Sequence, residues 1–318
     1  MGRRPFGKYT WLLAICLGFY WVPFYLTLSI WGVSETVAQA IDSLGQFRMY
    51  FLAFFLLAST VFAVYGRRLL AVSGFLGSMV ECIFLTSYFL QNFKAPAVTS
   101  EMTHKIKVYQ HNIRYDNKKI ADFISYVQIE KPDVLLLQEV SSPNEKQMEI
   151  LKEIYPTFET CSFMPVIGKV AVISRFSMIE GSKSCEEGHI NIKVRAFDGQ
   201  IINLSSIHLY WPFPFSQMEQ VMGFVSKFPK DHLILGGDFN SVPWGLSLAK
   251  IREHTGAIHT PGLRITLRRS FHKSLGLLYL PIDHVLSTAE FVPTGVEVGS
   301  SYGSDHVSTT VEFLYRRK

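Results

Sequence analysis

Six apolar runs in the C-terminal two-thirds of the chain end or begin on side chains able to do chemistry. Asn112 ends KIKVYQHNI, Glu139 ends DVLLLQEV and His208 ends QIINLSSIHLY. Asp238 and Asn240 end HLILGGDFN, Asp283 sits in PIDHVL, and Asp305 with His306 opens the last run, HVSTTVEFLY. A lone Asp at a strand end is usually a turn former, but six such ends are hard to attribute to turns. Strand ends are where a scaffold presents side chains to a shared cleft. Glu139 with Asn112 suits Mg²⁺, a hard cation that takes one or two carboxylates and keeps several waters. Such a cation neutralises phosphoryl oxygens, and a water held in line with the leaving group completes the needs of phosphoester cleavage. No Cys/His cluster offers a zinc site.

The elements that must position these residues are short. Besides the runs above, GKVAVISRF and NIKVRAF read as strands. A helix is expected over 117–130, with Ile120, Ile124 and Val127 on one face, Asn117 as its cap and an end before Pro132. Many strands with few helices between them predict two packed sheets with outer helices. Residues 94–318 hold 25 Lys/Arg and 23 Asp/Glu, a net charge of only +2. That segment is long enough to bury a sizeable core, and its composition excludes disorder, collagen-like repeats and a strongly cationic nucleic-acid coat.

The ordered set Asn112 in QHNIR, Glu139 in LLLQEV, His208 in IHLY, Asp238 and Asn240 in GGDFNSVPW, Asp283 in IDHV and Ser304-Asp305-His306-Val307 resembles the endonuclease/exonuclease/phosphatase superfamily, over about 105–318. The resemblance implies a four-layered α/β/β/α sandwich and Mg²⁺-dependent phosphoester hydrolysis, with Mn²⁺ as the alternative ion. It implies Glu139 as principal metal ligand with Asn112 and Asp305 close by, and Asp238 and Asn240 positioning the water and the scissile phosphate. Asp283 would accept from one nitrogen of His306, His208 would contact phosphate oxygens, and either Asp238 or His306 would be the general base. Arg175 in AVISRF would add positive charge near the substrate. Plainer readings stand beside these: Asn112 as a loop cap, His208 as a satisfied core histidine, Arg175 as a surface ion-pair member. His284, next to Asp283, is turned to the opposite face by strand alternation. Nuclease-like members often carry an acidic residue two places after the first Asn, where this chain has Arg114, which puts a second metal ligand in doubt.

Residues 1–93 have a different character, with six Lys/Arg and three Asp/Glu. Three membrane spans are expected, at about 11–31, 49–65 and 69–91, the second being short for a hydrocarbon core roughly 30 Å thick. The apolar run of the first is too long for a signal-peptide core, and Ala38-Gln39-Ala40 lies well beyond its end. Arg3, Arg4, Lys8, Arg67 and Arg68 define the cytoplasmic side. Three crossings then deliver residues 94–318 to the outer face, the periplasm if the membrane is a bacterial inner membrane. Glu81 lies within the third span, where a neutral carboxyl bonded to Ser73, Ser78 or another helix's hydroxyl is expected. Gly74 and Ser78 have small-xxx-small spacing. Cys161 and Cys185 could form a bond in an oxidising compartment or remain free thiols.

Residues 94–104 make a tether that spans at most about 40 Å. Two segments bear on substrate: Tyr210-Trp211-Pro212-Phe213-Pro214-Phe215, and Leu263 to Pro281, in which Arg264, Arg268, Arg269 and Lys273 are interleaved with leucines. Aromatic and basic side chains together suit a lipid headgroup surface or stacked single-stranded bases; a packed loop and a helix with a solvated face is the plain reading. The favoured substrate is a lipid-linked phosphate at the outer face, with Trp211 and Arg175 binding it and membrane lipids as partners. An extracytoplasmic nuclease and a non-catalytic phosphate sensor are the alternatives, and no protein partner is inferable.

Overall fold

A computed structural model of the protein describes residues 39, 42–93, 97–212, 216–270 and 277–316. The chain divides into two compact units at Gln91/Asn92. In the first, α1 (Arg48–Val64) and α2 (Arg68–Asn92) are joined through Gly66, whose φ of 70° turns the chain. α2 is long and apolar enough, by length and composition, to cross a membrane, while α1 is apolar but 17 residues long. The first expected span, 11–31, lies outside the described residues.

The two helices approach closely at Gly74, where a Cβ would meet Ser59 Cβ at 3.2 Å and Phe55 O at 3.3 Å. Glu81 departs from expectation. Its carboxylate pairs with Arg48 Nη1 at 3.0 Å, both side chains being almost fully buried, while the Ser78 hydroxyl donates to Gly74 O of its own helix. The antiparallel hairpin brings the first residue of α1 alongside the fourteenth of α2. Glu81 lies about 20 Å along α2 from Arg68 at 1.5 Å per residue, so the carboxylate stands opposite the start of α1.

Two large sheets make up most of the second unit. One has the order β14 (Phe291–Val298), β15 (Thr309–Tyr315), β1 (His104–Asn112), β2 (Val134–Val140), β4 (Lys169–Ser174), β3 (Thr157–Ser162). The other runs β10 (Ile258–His259), β13 (Asp283–Ser287), β9 (Leu233–Asp238), β8 (Ile201–His208), β7 (His189–Arg195), β5 (Ser177–Met178), with β6 (Ser184–Glu186) also paired to β7. Strand alternation sorts the side chains. Ile106, Val108, Val134 and Leu136 of the first sheet meet Ile190, Ile192, Leu204, Ile234 and Val285 of the second between the sheets. Tyr109, Leu135 and Leu137 face α3 (Ile120–Glu130) and the segment after α4 (Ser142–Met148). Leu233, Leu235 and Leu286 face α5 (Gln217–Phe224) and α6 (Leu246–Thr255). Helices therefore flank both outer faces of a mixed sandwich.

Several local expectations are corrected. The helix after β1 starts at Ile120, and Asn117 does not cap it. Its Nδ2 donates to Ile113 O and Tyr302 O, and its Oδ1 accepts from Lys119 N–H, so it holds the loop before the helix. Within Leu263 to Pro281, β11 (Leu267–Ser270) and β12 (Leu277–Leu280) pair as an antiparallel hairpin, with no helix among the described residues. Cys161 and Cys185 form a disulfide that ties β3 to β6.

Candidate active site

Three side chains come to one place through sheet register alone. β8 and β9 run parallel with His208 beside Asp238, and β9 and β13 run antiparallel with Asp238 beside Asp283. In the other sheet β1 and β2 run parallel, so Asn112 and Glu139 reach the same end of the sandwich. Alternation along β2 would turn Glu139 outward with Leu135 and Leu137. Instead the register slips between Leu137 and Val140, and Glu139 takes φ 58°. This bulge aims the carboxylate into the cleft at the cost of a left-handed conformation in a non-glycine residue.

Asn112 joins the two sheets. Its Nδ2 donates to Glu139 Oε1 and to Asp238 Oδ2, both at 2.9 Å, and its Oδ1 accepts from Arg114 N–H. It thus spans two carboxylates through its nitrogen, where the resemblance implied a place close to the metal. Glu139 Oε2 accepts the Tyr115 N–H at 3.1 Å. Asp238 Oδ1 accepts the Asn240 N–H at 2.9 Å, and Asn240 Nδ2 donates to Leu209 O. Asp238 Oδ2 also lies 3.5 Å from His208 Nε2 and 3.7 Å from His306 Nε2. His306 Nδ1 meets Asp283 Oδ2 at 2.7 Å, which leaves Nε2 facing the cluster. Ser304 anchors this segment: its hydroxyl donates to Asn112 O and accepts the His306 N–H.

Burial and mutual charge set the protonation states. Burial would lower His306, but the charges of Asp283 and Asp238 raise it to about 10, so it is an imidazolium at neutral pH. Burial opposes ionisation of Asp283, yet His306 and the hydrogen bonds to it hold its carboxyl below the usual range. Asp238 is raised to about 7 by burial and by the Asp283 charge. Glu139 is raised by burial. His208 is pushed down to about 3, chiefly by burial, and is neutral.

Two groups of ligand atoms lie within 4.8 Å of one another, Glu139 with His208 and Asp238, and Asp238 with Asp283 and His306. The first fits a divalent cation. A half-buried and a buried carboxylate, whose anionic forms burial disfavours, are stabilised by a positive ion between them, and a neutral imidazole is a competent third ligand. The second group already contains its cation, the imidazolium. Asp305 belongs to neither; it lines the cleft with Oδ2 3.9 Å from Arg269 Nε.

The cleft has a volume of about 520 Å³. Its floor is formed by Glu139, His208, Asp238, Asn240 and His306, with Asn112 and Asp283 bonded to them from beneath. Arg114, with φ 62° and paired to Asp116, and Arg269 line it, as do Phe163, Met164, Ile167, Tyr210, Trp211 and Leu278. Phe163 packs on the His208 ring at 4.3 Å between centroids. Arg175 is not here. It follows β4 at the end that pairs with Val134, and it bonds Asp133 at 3.1 Å, about 20 Å along β2 from Glu139 at 3.3 Å per residue. The ion-pair reading of Arg175 is the correct one. His284 faces away, with Nε2 on Ser241 O at 2.7 Å. Gln110, Gln138 and Thr266 escaped the sequence reading, yet Gln110 and Thr266 bond directly to Asp283. A glutamine two places before Asn112 on the same strand face was the signal available for Gln110.

The sequence pattern of the Endonuclease/Exonuclease/phosphatase family matches residues 109–306. No curated protein matches the chain. Among solved structures, TDP2 of D. rerio complexed with a single-stranded DNA product is similar with TM-score 0.54 and 17% identity, over 66% of this chain and 99% of that one. An endonuclease/exonuclease/phosphatase from Beutenbergia cavernae gives 0.53 and 16%, over 67% and 72%. The mannosyl-6-phosphatase Bt3783 of Bacteroides thetaiotaomicron gives 0.52 and 16%, over 66% and 100%. At such identities the likeness is one of fold.

Proposed function

This chain belongs to the endonuclease/exonuclease/phosphatase family, whose members hydrolyse phosphoester bonds, and we propose that it is a membrane-anchored phosphoesterase acting on a lipid-linked phosphate at the outer face of a bacterial inner membrane. The observation that carries the reading is an apolar cleft wall (Phe163, Met164, Ile167, Trp211, Leu278) beside the Glu139–Asp238–His306 floor, in a chain that also has the 25-residue apolar helix α2. A lipid phosphate presents an anionic head on an apolar stem, and this cleft offers a polar floor and an apolar wall. The Cys161–Cys185 disulfide agrees with an oxidising, extracytoplasmic location.

Glu139 and Asp238 would hold a divalent cation, Mg²⁺ or Mn²⁺, with His208 and Asn112 alongside. When bound, the ion supplies positive charge against the phosphoryl oxygens. Asp238 Oδ2 takes the proton of the attacking water, and the Nε2–H of His306 holds a phosphoryl oxygen as charge develops there. Asp283 keeps His306 in that orientation and charged. Arg114 and Arg269 supply further positive charge at the cleft.

Turnover of polyprenyl phosphate in detergent, compared with single-stranded DNA under the same Mg²⁺ concentration, tests the substrate. Lipid phosphate release without DNA cleavage is expected. Robust DNA cleavage with no lipid turnover contradicts it and favours an extracytoplasmic nuclease, and binding without turnover of either favours a phosphate sensor.

A further inference from the structure

Between the apolar core and the cleft floor lies a layer of polar residues that the reaction does not touch. It is built by alternation: Gln110 follows Val108 on the inward face of β1, Gln138 follows Leu136 on β2, Ser206 follows Leu204 on β8, and Asp283 precedes Val285 on β13. All four are essentially inaccessible to solvent. Gln110 Nε2 donates to Asp283 Oδ1 at 2.9 Å and to Gln138 Oε1 at 2.8 Å. Gln138 Nε2 donates to the Ser206 hydroxyl at 2.9 Å, and that hydroxyl donates to Leu137 O at 3.1 Å. The chain of bonds crosses from one sheet to the other beneath the site. Gly236 packs against its lower edge: a Cβ there would sit 2.8 Å from Leu136 Cδ1, too close, and 3.5 Å from Gln110 Cγ, an ordinary contact.

We infer that Gln110, braced by Gln138 and Ser206, is a positioning residue that fixes the rotation of the Asp283 carboxylate and through it the ring of His306. The inference rests on the phosphoesterase reading of His306. Three features lead to it. Asp283 Oδ2 bonds His306 and Oδ1 bonds Gln110, so two contacts reaching across from the facing sheet, one on each oxygen, define the carboxylate plane. The Gln110 amide has one arrangement that works: reversing it would point its oxygen at both the Asp283 carboxylate and Gln138 Oε1. That arrangement leaves Gln110 Oε1 buried without a partner among the described residues, a cost the domain bears in order to present both hydrogens of the same nitrogen to Asp283 and Gln138. A residue serving only to fill the core would be apolar here, as Val108 and Leu136 are one layer below.

The test uses the full-length chain in detergent with Gln110→Met, which keeps the volume and removes both donors, and Gln138→Leu, which removes only the brace. kcat and KM are measured on bis-p-nitrophenyl phosphate with Mg²⁺, and the downfield proton shared by Asp283 and His306 is observed in selectively ¹⁵N-histidine-labelled protein. Gln110→Met is expected to lower kcat roughly ten- to a hundredfold, the range of one hydrogen bond to a charged group. KM should stay within about twofold, since the residue does not face the cleft. The shared proton signal should broaden or move, and Gln138→Leu should give a smaller change of the same kind. A folded Gln110→Met protein with unchanged kcat, or with reduced kcat and an unmoved signal, overturns the inference. If Gln110→Met does not fold, Gln138→Leu decides in the same way. If the parent chain turns over no phosphoester, the phosphoesterase reading fails, and the proton signal in parent and variant still tests whether Gln110 holds Asp283.

Discussion

Asp283 and His306 are separated by 23 residues in sequence and by 2.7 Å between Oδ2 and Nδ1 in the fold. One stands at the first position of β13 and the other in the segment before β15, so the contact joins the two sheets of the sandwich. With Nδ1 committed to Asp283, the imidazole has a single nitrogen left for the cleft. Asp283→Asn and His306→Ala should each lower kcat by roughly 10²- to 10⁴-fold, the usual worth of a positioned proton-transfer group. KM should change much less, and steady-state kinetics on a soluble phosphodiester check both.

The pH profile follows from the neighbouring charges. Asp238, raised to about 7 by burial and by Asp283, must be ionised to accept a proton, so activity falls as pH drops through that value. His306, raised to about 10, must keep its proton to hold a phosphoryl oxygen, so activity falls again as pH rises through that value. A bell with a broad alkaline plateau is expected in kcat/KM. The charge of a bound cation moves the acidic limb to lower pH, and raising Mg²⁺ should show that movement. An acidic limb unaffected by Asp238→Asn contradicts the assignment.

Arg175→Leu should leave kcat and KM on every substrate within about twofold, because its guanidinium serves Asp133 at the far end of β2. Its effect belongs to stability, at about 1 kcal/mol or less for a half-exposed pair. Thermal melting beside kinetics separates the two. A tenfold rise in KM would return Arg175 to the substrate.

Breaking the buried pair in the first unit should be far costlier than replacing it. Glu81→Leu or Arg48→Leu alone removes one charge of the pair and leaves the other buried, at about 3–5 kcal/mol, whereas the double substitution should recover most of that loss. Thermal unfolding of the four proteins in one detergent measures the coupling; additive losses would mean that the pair does not act as a unit.

How much of this was legible in the chain depended on what each residue answers to. The eight strands expected between residues 105 and 315 follow from apolar alternation, and all of them form. β14 was missed because Pro293 and Gly295 interrupt its pattern, which the fold absorbs with a bulge. The basic leucine-rich segment has no period strong enough to separate a helix from the β11–β12 hairpin. Residue type and strand-end position brought Asn112, Glu139, His208, Asp238, Asn240, Asp283 and His306 to one cleft. Arg175 failed on direction, since β4 runs antiparallel to β2 and carries its last residues away from Glu139. Nothing in the order of residues signals the bulge that re-aims Glu139, and nothing local pairs Arg48 with Glu81, 33 positions on.

The account turns on Glu139 and Asp238 sharing a divalent ion that phosphoester cleavage requires. The most direct measurement is phosphate-ester turnover by the full-length chain after chelation and after stepwise return of Mg²⁺ or Mn²⁺, with Mn²⁺ binding followed in parallel by electron paramagnetic resonance. Chelation should abolish turnover and the metal should restore it, while Glu139→Ala, still folded, should lose both the bound ion and the activity. Full turnover in the chelated protein, or a Glu139→Ala protein that binds Mn²⁺ and hydrolyses as the parent does, would contradict it.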